Sequence, residues 1–424
     1  MKRKLFFHSL AVLLLLTVMS CNRNEHTNHP QSFRNGTDPS DAGFDAVRLQ
    51  RIDTFLQSWV DQGILPNAVT FVARHGEIVH NRTFGWRDRE AGIALQKDDI
   101  FRLASQTKAI TTVALMTLFE KGYFLMDDPV SKFIPEFKNP QVLVKLNEKD
   151  TTWEARPAKS EILIRHLLCH TSGISSPIRP VNLIYARYNI PGNKTEVTLK
   201  DVIPVLATLP LSHDPGEGFT YGLSTDVTGY LIEVLSGKDL DIFLKTELFE
   251  PLGMENTFFN IPPDKQDRLV RLYEKASRDS TLKLSTRQYD GKTVRYYSGA
   301  GGLYGTIEDY ARFCQMLLNG GTFNGHKILS RKTIEMMTRN QIGDLQLWNG
   351  DKFGYGFEII GDEVLKDILG SEGSFRWAGM YSTDYLIDPG EDLILLLCTN
   401  VYPFMDHVDV MYYTNRNLVY QALF

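Results

Sequence analysis

Cysteine is scarce in this chain: four residues in 424, at positions 21, 169, 314 and 398. Setting Cys21 aside, for a reason given below, leaves an odd number at wide spacings, which provides no disulfide framework even in a compartment that would permit one. Stability must then come from a buried core, and a 43% hydrophobic content is enough to build a large one. Positive charge is also short, 46 Lys and Arg against 51 Asp and Glu, for a formal net charge of -5. It forms no basic stripe, which argues against nucleic acid as a partner. There is no internal repeat and no low-complexity run, and length alone would allow two or three domains.

What is present begins with Met1-Lys2-Arg3-Lys4, an apolar stretch over residues 5–18, and Met19-Ser20-Cys21 before the polar Asn22. A basic start, an apolar core too short to span a bilayer comfortably and a small residue before the break predict a secretory signal rather than a transmembrane anchor. Val18-Met19-Ser20-Cys21 resembles a bacterial lipobox, in which the cysteine becomes the lipidated first residue. This reading makes residues 1–21 a lipoprotein signal peptide and residues 22–43 a flexible tether. It places the protein in the bacterial cell envelope, in the periplasm or at the outer membrane, with the membrane as partner through Cys21.

Residues 47–62 have the pattern of an amphipathic helix. Residues 68–74 and 77–81 are β-rich runs around the two-residue turn His75-Gly76, and read as a hairpin. The far end mirrors this, with residues 381–387, the turn Asp388-Pro389-Gly390-Glu391, and residues 392–398. The last run is continuously apolar, as expected of a strand covered on both faces, and residues 406–423 could close over it as a helix. Between the hairpins the pattern is mostly helical. Ser224-Thr225 looks like the cap of a helix ending before Gly237, and Thr306 with Asp309 like a capping pair. The expected fold is α/β, an antiparallel sheet built from both chain ends with helices on its faces and a helical region inserted. The polar stretches 147–161 and 264–295 read as solvated loops.

Within that frame, Ser105-Gln106-Thr107-Lys108 opens the apolar run that follows it. On a helix, residues three apart share a face, so the Lys108 amine can reach the Ser105 hydroxyl and take its proton during attack. To work near neutral pH the amine must be desolvated or lie close to another positive group. A second copy of the spacing, Ser280 with Lys283, has no apolar helix behind it and reads as chance. Tyr221 follows the Pro/Gly turn Asp214-Pro215-Gly216-Glu217-Gly218, where a phenol aimed inward can accept a proton, though a core tyrosine would look the same. Trp377-Ala378-Gly379-Met380 enters the strand at 381–387, and small residues there let a substrate lie against strand backbone. His166 and His170, four apart, could suggest a metal pair, but no third ligand is evident, and neither a metal nor a cofactor is expected.

These elements in this order resemble the serine β-lactamase and DD-peptidase superfamily, marked by S-x-x-K, a Y-x-N or Y-x-x element and a K-T-G-like triplet. The likeness extends to Phe101-Arg102-Leu103-Ala104, to Leu167-Leu168-Cys169-His170-Thr171-Ser172-Gly173, to Ser298-Gly299-Ala300-Gly301-Gly302-Leu303, and to the Asp388-Pro389 hairpin, covering roughly residues 45–424. It implies a β-lactamase/transpeptidase-like catalytic domain over 44–424, with the sheet from about 44–100 and 296–424 and the helical part from about 101–295. The resemblance further implies Ser105 as nucleophile, Lys108 and Tyr221 as bases hydrogen-bonded to it, and the backbone amides of Ser105 and Met380 as oxyanion hole. Trp377, Ala378 and Gly379 become substrate-binding residues.

The departures narrow the branch. Class C β-lactamases carry Y-x-N where this chain has Tyr221-Gly222-Leu223, and K-T-G where it has Trp377-Ala378-Gly379. The family's carboxylate-binding lysine and amide-binding asparagine are therefore missing, and the pattern looks more like the family VIII carboxylesterases. No E-x-x-L-N base and no G-x-S-x-G elbow is present, which speaks against class A lactamases and α/β-hydrolases. The expected activity is ester hydrolysis through a serine acyl-enzyme. The rivals are acyl transfer to an alcohol or amine, β-lactamase or D-amino-acid peptidase activity, and a penicillin-binding sensor that acylates without turnover. Arg376 could weaken the argument by turning inward to replace the missing lysine.

The lipobox reading predicts that Cys21→Ser abolishes incorporation of a fatty-acid probe and releases the protein from the membrane fraction. Unlabelled wild-type protein would instead make the segment a plain signal peptide.

Overall fold

A computed structural model describes residue 30 and residues 32–176, 182–404 and 406–424. Cys21 and the signal-like segment lie outside the described residues. An eight-stranded antiparallel sheet organises the fold. Its strands are β1 (Asn67–Arg74), β2 (Glu77–Asp88), β3 (Ile93–Ala94), β4 (Lys352–Phe353), β5 (Glu358–Ile359), β6 (Phe375–Gly379), β7 (Thr383–Asp388) and β8 (Leu393–Cys398), in the order β4-β5-β6-β7-β8-β1-β2-β3. Both expected hairpins are present, the first turning at His75 and Gly76 with φ of 53° and 73°. The chain ends meet where β1 pairs with β8, from Val69 opposite Cys398 to Arg74 opposite Leu393.

The continuous apolar run of β8 is explained by two cores, one on each face of the sheet. Side chains alternate across a strand, so Ile394, Leu396 and Cys398 enter one cluster with Val69, Phe71 and Tyr385, while Leu393, Leu395 and Leu397 enter the other with Val72 and Leu386. Helices α1 (Arg51–Asp61) and α5 (Val408–Tyr420) cover the second face. The first face carries the larger core, which contains α2 (Thr107–Glu120), α3 (Ser224–Ser236) and α4 (Ile307–Leu318). Every residue of α2 from Thr107 to Leu118 is buried, so its polar members must find partners inside the protein. Among the described residues no helix is long and apolar enough to cross a membrane.

Four expectations need correction. Residues 33–43, assigned to a tether, are docked. The Phe33 ring packs 5.0 Å from Phe71 and 5.4 Å from Phe323, and Pro39–Ala42 forms a capped 3-10 turn. The stretch 147–161 contains a strand, Trp153–Pro157, paired with Gln141–Leu146. Val142 enters the core and Leu143, Leu146 and Trp153 pack against it, but four of the five residues of Trp153–Pro157 are exposed, so the stretch has the composition of a loop. Tyr273–Lys275, in the second polar stretch, pairs in parallel with Val401–Phe404. Ser224 does not cap α3 with its side chain: its hydroxyl instead meets that of Ser172 at 2.8 Å. Thr306 does cap α4, accepting from the Asp309 amide at 3.3 Å, while the Asp309 carboxylate turns away to the Asn256 amide at 2.7 Å.

The histidines of the 166–173 turn are structural in the geometry seen. His166 accepts the Leu163 amide through Nδ1 at 3.2 Å. His170, with φ of 57°, is buried with its ring 4.8 Å from that of Tyr221. Burial, then the positive charge of Arg165, pushes His166 down to about 4; burial, then Lys108, pushes His170 down to about 3. The unfolded chain protonates both rings below pH ~6.5 and the folded chain does not, so their contribution is intact above that pH and declines as the pH falls. His170→Asn, which tolerates the left-handed backbone, should therefore lose about 2 kcal/mol less stability than wild type between pH 7 and pH 5. Urea denaturation of both proteins at the two pH values checks this, and equal losses would rule out a buried neutral His170.

Candidate active site

The site forms where the start of α2 meets the end of β6. Ala104 and Ser105 sit in a short 3-10 turn that runs into α2, and Ala104 is buried with φ of 46°. A non-glycine residue in the left-handed region costs about 1–3 kcal/mol and persists only where the surroundings enforce it. The turn leaves Ser105 partly accessible while its neighbours on both sides are buried. Gly379 permits the approach of β6, since a Cβ at that position would overlap the Leu103 carbonyl oxygen.

Lys108 follows one helical turn later and is 6% exposed. Its Nζ lies 3.3 Å from Ser105 Oγ, donates to the Ala300 carbonyl at 2.6 Å, and stands 4.5 Å above the centre of the Tyr221 ring. A lysine amine has donors to place and no acceptor of its own, so the Ala300 carbonyl fixes its direction. That carbonyl belongs to a glycine-rich turn clamped between two helices. From α3, the buried Asp226 carboxylate accepts the Ser298 hydroxyl at 2.8 Å and the Ala300 amide at 3.1 Å. From α2, Thr111 donates to the Gly299 carbonyl at 3.0 Å, and Thr107 Oγ1 accepts the Leu303 amide at 3.2 Å. Sequence reasoning missed Asp226, although Ser298-Gly299-Ala300-Gly301-Gly302 had the glycine content that close backbone approach requires.

Tyr221 is positioned by backbone bonds from its neighbours. The Thr220 amide donates to the His170 carbonyl at 2.8 Å and the Gly216 amide to that of Thr171 at 2.8 Å. Asp214, at the start of the Pro/Gly turn, accepts Arg156 at 2.6 Å and the Lys159 amide at 2.8 Å. The Arg156 guanidinium holds the Asp214 carboxyl well below the usual carboxylate range. Gly222 lies against the carbonyl oxygens of Ile174 and Ser175, where a Cβ would overlap both, so the position after Tyr221 has no room for a side chain.

One expectation changes here. Tyr221 was expected to hydrogen-bond Ser105. Instead its hydroxyl accepts the indole N–H of Trp377 at 3.0 Å, and no bond to Ser105 is made in this arrangement. Trp377 is therefore a wall with a polar edge, and its donor fixes the direction of the phenolic oxygen. Arg376 does not turn inward to supply a free cation. Its guanidinium donates to Glu358 at 2.7 Å and Asp384 at 2.6 Å. Burial works against the Arg376 charge, but Asp384 and then Glu358 more than offset it and raise its pKa.

Ser105, Tyr221, Trp377, Ala378, Gly379 and Met380 line one cleft of about 350 Å³. The Met380 amide follows the last residue of β6, and no described residue accepts a hydrogen bond from it. Larger cavities exist, including one of about 700 Å³ beside Tyr230 and Glu233, but they do not contain Ser105. The second Ser-x-x-Lys copy is not helical: Ser280 Oγ donates to the Ser277 carbonyl at 2.8 Å, and Lys283 lies in a short strand.

Known proteins share this architecture. An uncharacterized protein of Mycobacterium tuberculosis is 33% identical over 352 residues, covering 79% of this chain and 86% of that one. Esterase EstB of Burkholderia gladioli is 29% identical over 389 residues, covering 86% and 93%. The solved structure of EstCE1, described as a hydrolase with promiscuous acyltransferase activity, superposes with a TM-score of 0.74 at 24% identity, covering 88% of this chain and 99% of its own. A family model, Beta-lactamase, matches residues 52–418, and on that match the chain belongs to the beta-lactamase family of serine hydrolases.

Proposed function

We propose that the protein hydrolyses esters through an acyl-enzyme on Ser105. The observation that carries this reading is the Lys108 amine, buried and directed at Ser105 Oγ from 3.3 Å. In the proposed reaction the Ser105 oxygen attacks the ester carbonyl while Lys108, assisted by Tyr221, takes the hydroxyl proton. The tetrahedral oxyanion is received by the amides of Ser105 and Met380. Collapse expels the alcohol, which takes the proton back. Water then attacks the acyl-serine with the same groups as base, releasing the acid and restoring Ser105. The donor from Trp377 keeps the Tyr221 oxygen oriented throughout.

The preference for esters over β-lactams is supported by what the cleft lacks. Arg376 and Glu358 line it as a pair, and no other cation is among its lining residues. A second reading, transfer of the acyl group to an alcohol, is favoured by the relation to EstCE1 and uses the same intermediate. For the cell, we propose attachment to the envelope through a lipid on Cys21.

Ser105→Ala should lower turnover on the order of a thousandfold or more, because no other nucleophile can take its place. An activity above a tenth of wild type would refute the assignment. Nitrophenyl butyrate should exceed a chromogenic cephalosporin in kcat/KM by about a hundredfold, each absent recognition group forfeiting roughly 1–3 kcal/mol. Measured side by side, equal or better cephalosporin turnover would make the protein a β-lactamase in activity as well as in fold.

A further inference from the structure

The mouth of the cleft carries a feature that the acyl-enzyme chemistry does not use. Trp348 is 74% exposed, and Met380 on the same cleft is 48% exposed. Both line the cleft that contains Ser105, so the exposed indole stands at the catalytic cleft rather than alone on the surface.

Trp348 is held in place from both sides. The Leu347 amide donates to the Asp351 carbonyl at 2.9 Å, and Asn349 Nδ2 donates to Glu358 Oε1 at 2.6 Å. Glu358 is buried, and its other oxygen is taken by Arg376. The loop carrying the indole is thus anchored to the Glu358–Arg376 ion pair that joins β5 to β6, and the Trp348 ring stands 6.0 Å from that of Trp377. An exposed ring on a pinned loop is a preorganised contact, and its partner gains the burial without having to order the loop.

The charge pattern restricts that partner. Glu358 and Arg376 neutralise each other, and Asp409 at the rim has no ion-pair partner among the described residues. Apart from the Lys108 amine beside Ser105, a carboxylate entering the cleft finds no cation that is not already ion-paired, and it meets a negative rim.

We propose that Trp348 is a specificity-determining residue, and that the group transferred to Ser105 is an uncharged aromatic or extended aliphatic acyl chain lying along the indoles of Trp348 and Trp377. The inference rests on the ester-hydrolysis reading and names its substrate class.

The test compares nitrophenyl acetate, octanoate and phenylacetate with wild type, Trp348→Ala and Trp348→Phe. The kcat/KM ratio of octanoate or phenylacetate to acetate should fall about tenfold in Trp348→Ala, through KM, and be largely restored in Trp348→Phe. An unchanged ratio would overturn the proposal. A readout without turnover uses N-butylphenylacetamide, an uncharged non-ester, titrated by calorimetry into Ser105→Ala with and without Trp348→Ala. Binding about tenfold weaker without the indole supports the role, and equal or undetectable binding in both overturns it. Indole-dependent binding in a wild-type enzyme that cleaves no ester would refute the proposed function while leaving the recognition element standing.

Discussion

The arrangement depends on one hydrogen bond, from Lys108 Nζ to the carbonyl of Ala300 at 2.6 Å. A lysine amine enclosed in protein must be given acceptors, or the cost of removing it from water is not offset. Here the acceptor is a backbone carbonyl, rigid because its turn is held by Asp226 from one helix and by Thr107 and Thr111 from another. A neutral acceptor fixes the amine's position without forming an ion pair with it. Packing and chemistry therefore converge on residues 298–303, a segment with no catalytic side chain of its own.

The wall opposite is organised around charge in a different way. Arg376 lies between Glu358 and Asp384, all three largely buried. Removing Arg376 would leave two buried carboxylates uncompensated, which costs far more than the intact network contributes. The triplet Trp377-Ala378-Gly379 follows directly along β6, so the strand edge that meets substrate is braced by ions whose charges are spent on each other. The cleft inherits a firm wall that offers no spare positive charge.

Much of this was legible in the sequence where a local rule operated. The two hairpins declared themselves through turn residues at fixed positions, the doubly covered strand through its unbroken apolar run, and Ser105 with Lys108 through helical spacing. What was not legible depended on contacts between distant segments. The ribbon at 141–157 exposes so much of itself that it has the composition of a loop. Ser224 has the chemistry of a cap but spends its hydroxyl on Ser172, fifty-two positions away. The bond from Trp377 to Tyr221 joins residues 156 apart, and nothing near either one announces it. Asp226 reads as an ordinary first-turn acid until Ala300 is placed against it. The docking of residues 33–43 escaped notice because one aromatic ring in a polar segment gives no periodic signal.

The pairing of β1 with β8 has a consequence for how the molecule comes into being. Arg74 and Leu393 stand opposite each other in register, so the central ladder joins segments separated by more than three hundred residues. Contacts of that range form slowly, since the loop entropy must be overcome before they contribute anything. During synthesis the first hairpin leaves the ribosome with one edge uncovered and must wait for nearly the entire chain before its partner strand exists. Unpaired strand edges of this kind are where nascent chains associate wrongly. The newly made polypeptide thus stays without its central sheet until translation is almost finished, an interval in which the β1 edge has no partner strand of its own.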